Sequence, residues 1–92
     1  MTHYEAMLWC EGERDRALLA WERANEVNHK LTGQAVEAFR LGDQRRGYRL
    51  ARAALRCRTI ARFWRAYADR AERTLGHHAD QVLMMAGARG VA

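Results

Sequence analysis

His3, His77 and His78 carry the most distinctive chemistry of this chain, because imidazole is the commonest metal ligand and titrates near neutrality. With Met7 and Cys10 as neighbours they would suit a soft or borderline metal ion. The spacing argues against one, since His77 and His78 are adjacent and point in different directions around a helix, and no two histidines stand three or four residues apart on one helix. They read as ordinary polar residues near the chain ends, and neither a metal nor a cofactor is expected. Covalent and acid–base catalysis have no better footing. Neither Cys10 nor Cys57 comes with a histidine and an orienting group, the acids are scattered, and no glycine-rich phosphate loop is present. No catalytic residue is assigned, and the expectation is a protein that is not an enzyme.

A second set of residues suits binding. Arg45, Arg49, Arg52 and Arg56 step by four, three and four, a stripe along one side of a helix that Arg70 and Arg73 extend. Such a stripe can track phosphates, dock an acidic protein face, or simply be solvated. The charge is uneven along the chain. Residues 1–42 hold five basic and seven acidic side chains, whereas residues 44–73 hold ten arginines against Asp69 and Glu72. Among sixteen basic residues only Lys30 is a lysine. That bias follows from GC-rich codons and points to a high-GC bacterium or its phage.

These groups must be positioned by helices, because proline is absent from the 92 residues and alanine is abundant. Taken outward from Gly42 and Asp43, residues pair with a constant index sum of 85: Ala35 with Leu50, Leu31 with Ala54, Asn28 with Cys57, Ala24 with Ala61, Trp21 with Trp64, Ala17 with Ala68, Arg14 with Ala71, Cys10 with Leu75, and Met7 with His78. Both ladders alternate steps of three and four. That is heptad spacing, with each a position opposing a d position as an antiparallel helix pair requires. The expected fold is therefore all-α, a long antiparallel, coiled-coil-like helical hairpin forming one domain over residues 1–92.

Local signals set its limits. Thr2 with Glu5 three residues on forms a capping box, so the first helix is expected over about 2–41. Gly42 closes that helix and Asp43 caps the next, leaving a turn at 42–43. Gly12 and Gly33 fall on the outward f position, and Gly47 faces Ala38 where the backbones converge. The second helix is expected from 44 to about 86, with Gly87 and Gly90 ending it in a flexible tail over 87–92.

Two familiar patterns touch the turn. A helix-turn-helix reading of Ala35 to Ala54 starts with Ala38, Gly42 and Tyr48, then fails at Asp43, where an apolar residue is needed. Ala35, Ala38, Gly42, Asp43, Ala51, Ala54 and Leu55 resemble the middle of one tetratricopeptide repeat over about a quarter of the chain. The repeat's terminal proline and a second copy are missing, so the likeness is shared helical-hairpin grammar and implies no peptide groove.

The seam is rich in alanine around one aromatic layer, and Trp21 and Trp64 are expected to stack offset there as its anchor. Asn28 faces Cys57, a poor hydrogen-bond mate, and looks to another chain or to water. Arg14 lays its stem over Ala71 with its head free for Glu72. A further apolar strip runs along the g positions, with Ala20, Val27 and Leu41 on one helix and Ala53, Ile60 and Tyr67 on the other. Two helices cannot cover it. Val27, Leu41, Ile60 and Tyr67 are therefore expected to mediate self-association into a homodimeric four-helix bundle, with Leu83, Met84 and Met85 overhanging the first helix.

In that register Cys57 lies eighteen residues from Cys10 along the first helix, roughly 27 Å at 1.5 Å per residue. No disulfide spans it. Unpaired cysteines and the lack of a leader point to the cytoplasm, and the short apolar runs exclude membrane insertion. The functional expectation is a small accessory or regulatory protein that binds a partner protein, helical or acidic, through its helix faces, with Arg45, Arg49, Arg52 and Arg56 as the partner-binding residues. The alternative is a nucleic-acid-binding protein using the same stripe.

Overall fold

The structure is a computed structural model that describes the backbone of residues 1–91 and the side chains of residues 1–87. It holds two helices, α1 (His3–Arg40) and α2 (Gln44–Val91), packed antiparallel in a rod of 75 × 17 × 13 Å. The chain is an all-α helical hairpin.

Each end of α1 is closed by the chemistry its sequence supplies. Thr2 accepts at Oγ1 from the Glu5 backbone N–H at 3.1 Å, and its hydroxyl donates to Glu5 Oε1 at 3.1 Å. The capping box thus closes through the hydroxyl rather than through the Thr2 backbone. At the far end Gly42 takes φ 82°, its N–H donating to the Phe39 carbonyl at 3.0 Å while Asp43 N–H donates to the Ala38 carbonyl at 2.9 Å. This is the Schellman pairing, which needs a left-handed residue and so favours glycine. Asp43 then turns from stop to start, accepting at Oδ1 from Arg46 N–H at 3.2 Å as N-cap of α2.

Every buried side chain of the core lies on the constant-sum ladder: Cys10, Ala17, Ala35, Ala38, Ala54, Ala61 and Ala68. Gly47 is buried opposite Ala38. Six of those seven side chains are single methyl groups, which lets the helices approach closely, and among the described residues no large side chain is fully enclosed. Both cysteines are free thiols.

Two details differ from expectation. Among the described residues, Trp21 and Trp64 form no ring pair with each other. Trp21 lies beneath the Arg65 guanidinium, 5.2 Å from its ring centroid, while Trp64 packs edge-on against Phe63 at 5.1 Å and Tyr67 at 6.0 Å. The physical reason is the alanine layer on either side, Ala17 with Ala68 and Ala24 with Ala61. These draw the helices closer than two indoles can fill, so each ring leaves the seam on its own side. In the seam the Thr32 hydroxyl lies 3.4 Å from Asn28 Oδ1, one turn along α1. The helical backbone of α2 continues to Val91, past the expected stop near Ala86, because glycine lowers helix propensity without breaking the ladder as proline would. The expected tail at 87–92 is helical up to Val91, and Ala92 lies outside the described residues.

Candidate partner-binding surfaces

The heptad positions divide the hairpin into two long faces, one along the facing e positions and one along the facing g positions. At the turn, the surface on α2 begins with Arg45, Arg49, Arg52 and Arg56. All four are exposed, and together with Gln44 and Tyr48 they line one open groove of about 630 Å³. Among the described residues none of the four pairs with a carboxylate, nor do Arg46, Arg58 and Arg62 on the same helix, whereas Arg16, Arg40 and Arg65 each have one such partner and Arg14 has two. The four sequence-assigned arginines thus share one outward side of α2, around a single open space between their side chains.

A second groove, of about 440 Å³, lies between the helices on the e face. Ala35, Ala51 and Ala54 form its floor, Val36 and Phe39 its α1 wall, Leu55 its α2 wall, with Asn28, Thr32 and Arg58 at its end. Phe39 presents its ring to Tyr48 edge-on, with centroids 5.1 Å apart at 82°. Tyr48 belongs to the arginine groove, so this aromatic contact makes the apolar and cationic grooves one continuous surface. Sequence reasoning passed over Val36, Phe39, Tyr48 and Leu55. They occupy b and e positions, and an inventory of apolar residues outside a, d and g would have found them.

The opposite, g face carries the expected self-association strip. Val27, Leu41 and Ile60 are exposed, Leu41 the most at 72%, whereas Tyr67 is half-buried. Tyr67 donates its hydroxyl hydrogen to Glu13 Oε2 at 2.7 Å, and Arg16 holds the other oxygen of that carboxylate. The hydrogen bond from Tyr67, and then Arg16, keep Glu13 below the ordinary carboxylate value. The same bond, then partial burial and the Glu13 charge, push the Tyr67 phenol above its ordinary value. Exposed Phe63 widens this strip beside Trp64 and Tyr67, and sequence reasoning did not include it.

The seam arginine behaves as its position requires, with Arg14 reaching Glu72 at 3.1 Å and Asp15 at 3.1 Å. At the open end His3 and His78 approach Nδ1 to Nδ1 at 2.8 Å, with the His77 ring 5.4 Å from that of His78. One of the two rings must donate while the other accepts, which a proton on each Nδ1 would forbid. Among the described residues no three of histidine, cysteine, aspartate and glutamate gather as a group able to hold a metal ion. Beyond this end Leu83, Met84 and Met85 are exposed on α2. Among the described residues no helix is long and apolar enough to cross a membrane. Comparison with protein-family models, with curated proteins and with solved structures finds no match for this chain.

Proposed function

We propose that the hairpin is a non-enzymatic protein–protein interaction module, a small accessory or regulatory protein that binds a partner protein on its arginine-lined face and a second copy of itself on the g face. The observation that carries the first half is the concentration of Arg45, Arg49, Arg52 and Arg56 in one groove without a carboxylate partner. Like charges three and four residues apart on a helix repel, so the row is mildly unfavourable in the lone hairpin and becomes favourable against an acidic surface.

The shape of the molecule supports a binding role as well. Its accessible surface is 7080 Å², against about 5,500 Å² for a compact monomer of its mass. Its radius of gyration is 20.8 Å, against about 12 Å for a compact domain of this length. The surplus of roughly 1,600 Å² is twice the ~800 Å² that one partner contributes to a standard protein interface. A rod with an alanine core gains little from burial between its own helices and gains more from docking.

The test replaces Arg49, Arg52 and Arg56 together by glutamine in the full chain. Loss of partner capture from the source cell lysate, with helicity unchanged by circular dichroism, is the expected result; unchanged capture would return the row to a solvated face. Binding to nonspecific DNA and RNA at two salt concentrations separates the nucleic-acid alternative, because phosphate contacts lose affinity steeply as salt rises. What favours a protein partner is the apolar groove that adjoins the arginines.

A further inference from the structure

We infer that the surface beside the turn seats one amphipathic α-helix whose apolar stripe enters the Phe39–Leu55 groove and whose carboxylates lie along one edge, on the arginine row. The inference rests on the interaction-module reading and adds the chemistry of the partner. Three features of the groove select a helix. Its floor is alanine, which admits a close backbone approach as it does in the hairpin's own seam. It runs from Asn28 to Phe39 along α1, about 16 Å at 1.5 Å per residue, long enough for anchors at i, i+4 and i+7 of a docked helix. Val36 and Leu55, 62% and 61% exposed, stand as opposite walls of it.

Charge then selects which helix. On the α2 side the groove passes through Tyr48 directly into the arginine row. On the α1 side the nearest guanidinium, Arg40, is already held by Glu37 at 2.7 Å. Four arginines without a carboxylate partner thus flank the α2 edge, against the single Lys30 on the α1 side, and the complementary helix carries most of its acids along the edge that meets α2. Nucleic acid fits less well, since its phosphates would leave an apolar cleft unfilled. The chain's own outer faces fit less well too, because on α1 Gly12 and Asp15 interrupt the outward stripe between Leu8 and Leu19.

Fluorescence anisotropy on the full chain tests this with three labelled probes. The first is a synthetic helix of about five turns, with leucines at i, i+4 and i+7 and glutamates along one edge. The second is the same helix with lysine replacing each glutamate, and the third is a duplex DNA of mixed sequence. The glutamate helix should bind, and the lysine helix should bind at least about tenfold more weakly. Val36→Glu and Leu55→Glu should each abolish binding with helicity unchanged. Replacing Arg52 and Arg56 together by glutamine should weaken it about tenfold and reduce its salt dependence. Equal binding of both helices overturns the charge selection, and binding of the duplex alone overturns the protein partner. If the glutamate helix fails to bind while capture of the native partner still needs Arg49, Arg52 and Arg56, the helix occupant falls and the module reading stands. Capture indifferent to those arginines overturns both.

Discussion

The Tyr67 hydroxyl reaches across the hairpin to Glu13 Oε2 at 2.7 Å, and Arg70 lies 5.7 Å from the centroid of the same tyrosine ring. This contact ties the two helices together on the g face outside the alanine seam. It also links stability to pH at both extremes. Glu13 sits below its ordinary 4.5, so it binds fewer protons folded than unfolded, and its stabilisation is present above that value and lost as pH falls through the lowered one. Tyr67 sits above its ordinary 10.0, so its stabilisation is present below that value and lost as pH rises through the raised one. Tyr67→Phe should flatten both arms of the melting temperature plotted against pH. The difference in tyrosinate absorbance between wild type and Tyr67→Phe should have its midpoint above 10.0. A midpoint at or below it would mean that the bond is not held in solution.

The two tryptophans should act independently. Trp64→Ala is expected to cost about 2 kcal/mol in urea denaturation, below the 3–5 kcal/mol of a fully buried aromatic, because the ring is only half-buried. With Trp21 beneath Arg65 and Trp64 against Phe63 and Tyr67, a double-mutant cycle should give a coupling under about 0.5 kcal/mol. Coupling well above that would put the indoles in contact.

Packing at the turn depends on a glycine inside a helix. A Cβ at Gly47 would fall 2.7 Å from Cδ1 of Phe39, so methyl and ring cannot both stay where they are. Gly47→Ala gains about 1 kcal/mol of helix propensity and loses more to overpacking, for a net loss of about 1 kcal/mol. Adding Phe39→Leu should recover the loss by opening space. Stabilisation by Gly47→Ala alone, read as a higher urea midpoint, would refute the close approach.

Self-association is expected through the g face, as a twofold pair with Ile60 and Tyr67 near its centre. Light scattering should give a dimer mass that Ile60→Glu lowers towards the monomer. A monomer mass that persists as concentration rises, with Ile60→Glu changing neither mass nor stability, would free that strip for a foreign partner.

The hairpin was legible because a strict three-and-four alternation marks the inner face of each helix, and the turn at Gly42 and Asp43 selects one register among those spaced a heptad apart. Once Ala17 is set against Ala68, every other layer follows, and the turn residues Gly42 and Asp43 agree with it through independent backbone chemistry. The arginine row was legible for the same reason, since residues three and four apart share a helix side. Ring placement at Trp21 and Trp64 was not. Register says which Cα atoms oppose each other, whereas the side to which a large rotamer leans depends on the clearance left by its neighbours. The Phe39–Leu55 groove escaped because its walls come from different helices at positions that a single-helix pattern assigns to solvent.

The arrangement of contacts also dictates how the chain assembles in time. Sequence separation between facing residues grows steadily from Ala38 with Gly47 at the turn to His3 with His78 at the open end. Closing the first layer costs the least loop entropy, and each later layer extends an existing helix pair at small added cost. Folding is therefore expected to zip from Gly42, with nucleation there as the slow step. Changes at the turn should slow folding, and changes near the histidines should chiefly hasten unfolding. The alanine methyls help, since they have no rotamers to lose as each layer shuts.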